Sequence, residues 1–381
     1  KEISNLSCDI EVTFVPMNAV SEATGRIENH SIRLLRDVKK GYTYFKEGDV
    51  LFAKITPCME NGKSAIARNL ANGVGFGSTE FHVIRPSEAI VAEWIYHFVR
   101  QKSFRELAAR NMTGSVGQQR VPDDFLKSAE IPVPPLEEQK RIVARIEEIL
   151  SRVEQTKKLR EETIKDVETI LPRFLTEIFL ELENEENLKE LGSVTKITSG
   201  GTPSRKHSEY YVGTIPWVKT GELLDNVITD SKEHISEEAL KNSSAKLFPP
   251  GTVLIALYGQ GQTRGRTGVL GIQAATNQAC CAIFPSPAFD PFYLQYWFRH
   301  KYAELRRQSN ERGGTQPNLS GELIKSLSLP LPAVDQQHHI VDCLNELHKK
   351  IEAIKKNQEE TRKDIESMTQ AVLRKAFSGD L

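Results

Sequence analysis

Residues 131–146 read IPVPPLEEQKRIVARI, and 198 positions later residues 329–344 read LPLPAVDQQHHIVDCL. From these two starts, residues 131–179 align with 329–377 without a gap, and 17 of the 49 positions are identical. The identities include Pro132/Pro330, Pro134/Pro332, Gln139/Gln337, Ile142/Ile340, Val143/Val341, Thr163/Thr361, Lys165/Lys363, Asp166/Asp364 and Phe179/Phe377. Chance does not produce this agreement, so the chain contains an internal duplication, and its fold must use the same segment twice.

Each copy opens with Pro-x-Pro, which favours extended backbone and breaks helices, and then continues for about 43 residues without glycine. That pattern predicts one long helix per copy. The apolar positions step by four and three, through Ile142, Ile146, Ile149 and Val153, then Val167, Ile170 and Phe174. In the second copy they pass through Ile340, Leu344, Leu347, Ile351 and Ile354, then Ile365, Met368 and Val372. This is a coiled-coil seam with a polar centre, Arg160 and Thr163 in one copy and Gln358 and Thr361 in the other. Pro172 is expected to kink or end the first helix late. A helix of about 43 residues is a rod of about 64 Å, whereas a domain of about 130 residues is about 30 Å across, so most of each helix needs a partner other than its own domain. The other copy is the obvious candidate; the alternative is two amphipathic helices that each lie on their own domain. Two equivalent helices related by a pseudo-twofold axis that they cross perpendicularly run antiparallel.

The segments before the two helices are also related. FKEGDVL (45–51) resembles FPPGTVL (248–254), and DFLKS (124–128) resembles ELIKS (322–326). Strand-like runs such as 80–84 and 253–257 alternate with turn residues, and helical patterns follow at 93–109 and 291–307. The expected architecture is α+β, with globular domains at 1–130 and 191–328, long helices at 131–181 and 329–381 forming an antiparallel coiled coil, and an acidic linker at 182–190.

A length of 381 residues favours two or more domains, and 39% hydrophobic with 27% charged residues suits folded, water-exposed domains. There is no run of 18 apolar residues and nothing resembling a signal peptide, so no membrane span is expected. The odd set of Cys8, Cys58, Cys280, Cys281 and Cys343 lacks metal-ligand spacing and fits structural thiols in a reducing cytoplasm. The net charge of −1 is unevenly spread. Residues 137–190 carry 10 basic and 15 acidic side chains, while residues 191–334 carry 15 basic and 11 acidic ones. A local positive excess in the second globular segment is compatible with nucleic-acid binding although the whole chain is neutral.

The order of these segments resembles HsdS, the specificity subunit of type I restriction-modification systems. The resemblance rests on both Pro-x-Pro-x-x-(Glu/Asp)-(Glu/Gln)-Gln openings, on GGTPSRK (200–206) and on GGTQPNLS (313–320). It implies two target recognition domains that each read half of a bipartite double-stranded DNA target, with conserved spacer helices between them. It implies two HsdM methyltransferase subunits as partners, with HsdR motor and nuclease subunits joining for restriction. S-adenosylmethionine would bind the methyltransferase, leaving this chain without cofactor or metal. The first domain departs from the second, with GSVGQQRV (114–121) opposite RGGTQPNL (312–319) and no GGTPSRK counterpart, as expected if the halves read different sequences.

Reading bases requires side chains that reach groove edges, and holding phosphates requires arginine, lysine and loop amides. Three loops of the second domain supply such groups: Thr202, Ser204, Arg205 and Lys206; Gln260, Gln262, Arg264 and Arg266; and Thr315, Gln316 and Asn318. The first domain offers Lys54, Lys63, Gln118, Gln119 and Arg120. Trp217 reads as a core residue and GVGFG (73–77) as a turn.

No phosphate-binding GxxxxGK[ST] loop occurs, Pro249-Pro250 lacks the context of an amino-methyltransferase motif, and the nine histidines show no catalytic or metal spacing. The chain is therefore expected to be a non-catalytic subunit that supports the methyltransferase and endonuclease activities of its complex. The alternatives are a coiled-coil scaffold that binds proteins and no DNA, and the specificity subunit of a related split-target system.

Overall fold

A computed structural model of the chain describes residues 6–115, 117–183, 187–311 and 318–381. The chain folds as two compact units: the first takes the polypeptide up to Arg160 together with Glu359–Leu381, and the second takes Glu161–Gln358.

The first unit contains β1 (Glu11–Val15), β2 (Ser31–Leu34), α1 (Leu35–Val38), β3 (Thr43–Lys46), β4 (Val50–Ala53), β5 (Ser64–Ile66), β6 (Val74–Gly77), β7 (Phe81–Ile84), α2 (Ala92–Val99), α3 (Lys102–Arg110), α4 (Asp123–Ser128) and the first part of α5 (Leu136–Glu183). The second contains the rest of α5, then β8 (Leu188–Glu190), α6 (Leu191–Val194), β9 (Ile197–Ser199), β10 (Ile215–Val218), β11 (Asn226–Ile228), β12 (His234–Ile235), α7 (Glu237–Lys241), β13 (Leu247–Phe248), β14 (Val253–Ala256), β15 (Thr267–Leu270), β16 (Ala274–Thr276), β17 (Cys280–Ile283), α8 (Pro291–Glu311), α9 (Gly321–Lys325) and β18 (Ser328–Pro330). The last helix, α10 (Val334–Ser378), begins in the second unit and ends in the first.

The duplication extends through the sheets. The first unit has a four-stranded sheet in the order β2-β1-β6-β3, and the second repeats it as β12-β10-β16-β13, each with a central parallel pair between antiparallel edges. The three-stranded sheet β5-β4-β7 recurs as β15-β14-β17, to which the second unit adds β11 and β9 at the two edges. The related stretches 45–51 and 248–254 form the same turn. Gly48 and Gly251 sit there at φ +85° and +80°, a conformation that glycine adopts without Cβ strain. Their N–H groups donate to Ala67 O and Leu270 O at 2.8 and 2.7 Å.

The Pro-x-Pro-x-x-x-x-Gln phrase locks each helix start to its own domain. The carboxamide of Gln139 accepts from Val91 N at 3.0 Å and donates to Ala89 O and Pro134 O at 2.9 and 2.7 Å. Gln337 does the same with Asp290 N at 3.0 Å, Ala288 O at 3.0 Å and Pro332 O at 2.9 Å. Both side chains have 0% exposure. The first proline of each phrase is also held by an aromatic donor: Trp94 Nε1 donates to Pro132 O at 2.8 Å and Tyr293 OH to Pro330 O at 2.9 Å.

Within the first unit, Ile142, Val143 and Ile146 of α5 pack with Leu373 and Ala376 of α10 around Trp94, and Arg141 donates to Leu381 O at 3.0 Å. The start of α5 therefore lies beside the end of α10, an antiparallel pairing. Within the second unit, Val167, Leu171, Leu175, Phe179 and Leu182 of α5 join Val341, Leu344 and Ile351 of α10 in one core with Tyr293, Leu294, Trp297 and Phe298 of α8. The matched residues Phe377 and Phe179 close these cores on Trp94 (4.4 Å between ring centroids) and Tyr293 (5.5 Å).

Five details differ from the sequence expectation. The buried stripe late in α5 runs through Leu171 and Leu175, leaving Ile170 and Phe174 at 39% and 36% exposure, and in α10 Ile354 and Met368 are exposed. Adjacent apolar residues let the periodicity choose either stripe, and packing against α8 selects steps of four. The first long helix does not end at Pro172 but passes through it to Glu183. The segment 93–109 forms two helices, α2 and α3, instead of one. GVGFG is not a turn: Val74–Gly77 is strand β6, and a Cβ on Gly75 would lie 2.1 Å from the Phe45 ring, so these glycines admit close packing. Residues 182–190 divide between the end of α5 and strand β8, with 184–186 outside the described residues.

Replacing Gln139 by Glu keeps the shape but removes the two N–H donors, leaving buried carbonyls unpaired. The expected outcome is a loss of about 2–6 kcal/mol in urea unfolding of the first unit, from about 1–3 kcal/mol for each of the two unsatisfied carbonyls. His97 in α2 is buried, and desolvation, aided by Arg100, pushes its pKa down to about 4. The unfolded chain then binds a proton that the folded chain refuses between pH 6.5 and about 4. Stability from this group is complete above pH 6.5 and falls as pH drops through that window, by about 3 kcal/mol. His97→Phe is expected to flatten this part of the acid limb in pH-dependent urea titrations.

Candidate nucleic-acid interface

In the second unit, residues 277–279 make a tight turn between β16 and β17, and the candidate loops fasten to its surroundings. Gly201 N donates to Thr276 O at 2.8 Å and Gly200 N to Cys280 O at 3.2 Å, which ties down the loop 200–206. Leu257 N donates to Ala279 O at 2.9 Å, and Leu319 N to Leu257 O at 2.8 Å, which brings the start of the loop 258–266 and Asn318 to the same place. Gly200 is required here, because a Cβ would stand 2.2 Å from Thr276 O and 2.6 Å from Asn277 O. Trp217 is buried and donates Nε1–H to Gly201 O at 3.0 Å, the core role expected for it.

The side chains on this frame differ in availability. Thr202 hydrogen-bonds Gln278, and Ser204, Arg205 and Lys206 are exposed. Arg205 lies 3.9 Å over the Tyr211 ring and donates to Glu233 at 2.6 Å. Lys219 also bonds Glu233, and this hydrogen bond, reinforced by Arg205, holds the Glu233 carboxyl below the usual carboxylate range. Gln260 and Gln262 are exposed, and Arg266 donates to Gln262 Oε1 at 3.1 Å. Arg264 points inward at 6% exposure and donates to Asn310 of α8 at 2.7 Å, so it anchors the loop to the helix. Tyr302 and Arg306 of α8 reinforce that anchor by donating to Gln262 O and Gly261 O at 2.6 and 2.8 Å. A shallow concavity of about 620 Å³ lies beside it, lined by Tyr302, Ala303, Arg306, Arg307 and Asn310. Asn318 is exposed, whereas Thr315 and Gln316 lie outside the described residues.

The first unit repeats the frame with different side chains. Lys54 N donates to Glu80 O at 2.9 Å, and Val121 N to Lys54 O at 2.8 Å, the counterparts of the Leu257 and Leu319 bonds. Thr56 N to Gln119 O at 3.0 Å draws in the loop 54–63. Gln118 is exposed, Gln119 and Lys54 are half-buried, and Arg120 is paired to Glu80. Lys63 is withdrawn: its side chain is 12% exposed, donates to Met17 O at 3.3 Å and lies 3.6 Å from Glu22.

Sequence reasoning missed Glu80 and Gln278, each on the turn that carries the chain from one sheet of its unit to the other. The signal available for them was the short polar break that separates two strand-like runs. Among the described residues, no group of three or more His, Cys, Asp or Glu could hold a metal. All five cysteines are free, and burial pushes the Cys281 thiol up to about 12. Gly200→Ala is expected to cost about 1–3 kcal/mol, because backbone carbonyls must move to admit the methyl group. The urea midpoint of the second unit measures it.

The family model for the type I restriction modification DNA specificity domain matches residues 3–168 and again 184–361. The specificity subunit of the EcoAI type I restriction enzyme from Escherichia coli is 39% identical over 181 residues, 47% of this chain and 31% of that protein. The corresponding EcoEI subunit, also from Escherichia coli, is 36% identical over 197 residues, 50% of this chain and 33% of that protein. The chain thus spans about a third of the length of these curated relatives. Among solved structures, a chain from a study of complex assembly and conformational transition in a type I R-M system superposes with a TM-score of 0.78 at 27% identity, over 98% of this chain and 93% of that one. The HsdS subunit from Thermoanaerobacter tengcongensis gives a TM-score of 0.72 at 25% identity, over 98% and 92%. With the family model matched in both halves of a chain whose sheets, turns and helix starts are duplicated, this protein belongs to the type I restriction-modification DNA specificity family.

Proposed function

We propose that the chain is a non-catalytic DNA specificity subunit in which each unit's loop cluster reads one half of a bipartite target. The observation that carries this reading is the pair of matching backbone frames, at Lys54–Glu80–Val121 and Leu257–Ala279–Leu319, that present different side chains. A shared frame with divergent side chains is what two related readers of unlike half-sites require, since base edges are told apart by donor and acceptor pattern. Thr202, Ser204, Arg205, Lys206, Gln260, Gln262, Arg266 and Asn318 serve one half-site, and Gln118, Gln119, Arg120 and Lys54 the other. Arg264 and Lys63 act by shaping their loops.

The helices α5 and α10, which run through both units, set the spacing of the half-sites and offer docking faces for two methyltransferase subunits, with the motor and nuclease subunits joining for restriction. Partners carry S-adenosylmethionine and the chemistry. The small positive excess of residues 191–334 makes binding by the chain alone weak, because phosphate contacts dominate affinity. To test the reading, the chain is mixed with its methyltransferase subunit and the retained members of a random duplex pool are sequenced. Two short motifs at one fixed separation are expected; a pool without an enriched bipartite motif refutes the proposal.

A further inference from the structure

We propose that Glu80 is a positioning residue that orients Arg120 to read guanine, so that the half-site of the first unit contains a G·C pair under this side chain. The inference rests on the DNA-reading function proposed above. Arg120 donates from Nε and Nη2 to the two carboxylate oxygens of Glu80 at 2.8 and 2.9 Å, and from Nη1 to Gln118 O at 2.9 Å. Its backbone is fixed as well, by paired bonds with Thr113 at 2.9 and 3.0 Å. Glu80 is fixed in turn by its backbone bond to Lys54 N at 2.9 Å and by Ser78 Oγ, which accepts from Glu80 N at 3.2 Å. The guanidinium therefore has little rotational freedom.

Among the described residues three of its five N–H donors are engaged, which leaves one on each terminal nitrogen. Two donors on the terminal edge of a guanidinium match O6 and N7 of guanine in the major groove. The side chain is 42% exposed, so Arg120 stays partly accessible to a ligand while paired to Glu80. The Glu80 carboxylate, held below its usual range first by the Arg120 hydrogen bond, offsets the positive charge that would otherwise favour phosphate. Directional donors with a reduced net charge favour a base edge over the backbone. Glu80 corresponds in the second unit to Ala279, which cannot supply this support, so the device belongs to one half-site only.

The experiment uses the full chain with its methyltransferase subunits on randomised DNA, and methylated sites are sequenced for the wild type, Glu80→Gln, Arg120→Lys and Arg120→Gln. The wild type is expected to give a bipartite motif with a G·C pair at one position of one half. Arg120→Lys, which keeps the charge but loses the fork, should lower the preference at that position about 10-fold or more, and Glu80→Gln should lower it less. The other half-site and the spacing should be unchanged, and thermal unfolding of Arg120→Lys should match the wild type. A first half-site unaltered in all three variants overturns the proposal, as does an equal loss at every position of both halves, which marks the pair as a structural clamp. A wild type without any bipartite motif refutes the underlying reading instead.

Discussion

A single carboxamide at the start of each long helix connects this fold together. Gln139 and Gln337 are wholly buried, and each spans a loop N–H, a loop carbonyl and a carbonyl of its own proline phrase. Only a side chain that accepts and donates twice satisfies all three groups, and no water is needed to do it. Because the helix start is fixed to the globular layer through α2 or α8, the apolar stripe of the helix meets that layer in one register. Trp94 and Tyr293 then bury their rings in the same place while bonding Pro132 and Pro330. The repeated phrase is thus a joint, and its polar core specifies geometry that hydrophobic contact alone would leave free to slide.

The two loop clusters follow a similar division. Backbone hydrogen bonds at Lys54, Glu80 and Val121, and at Leu257, Ala279 and Leu319, set where the loops stand. Backbone groups are the same in every residue, so this frame tolerates side-chain change. The second unit uses that freedom for a glycine-containing loop braced by Tyr302 and Arg306, and the first for an ion pair between Arg120 and Glu80.

Much of this was legible without coordinates. Gln139/Gln337 and Phe179/Phe377 stood out as identities, and the long glycine-free runs announced α5 and α10. What was misread has a common cause. Ile170 beside Leu171, and Phe174 beside Leu175, satisfy helical periodicity equally, and only the presence of α8 decides which pair is buried. Arg264 and Lys63 are cations in polar loops, as DNA contacts would be, yet Asn310 and Glu22 draw them to the protein. For Glu80 the polar break marked the turn but not the pairing, which exists only once Arg120, 40 positions away in sequence, is brought beside it.

By itself the sequence determined the duplication, the two helices, the α+β character of the segments between them and the family. These depend on local preference and periodicity, which act within a few residues and survive in the linear text. The tertiary structure alone decided which helix face is buried, which loop cations stay available and how the two turns gather their loops, because each depends on groups distant in sequence competing for the same hydrogen bonds and the same apolar surface.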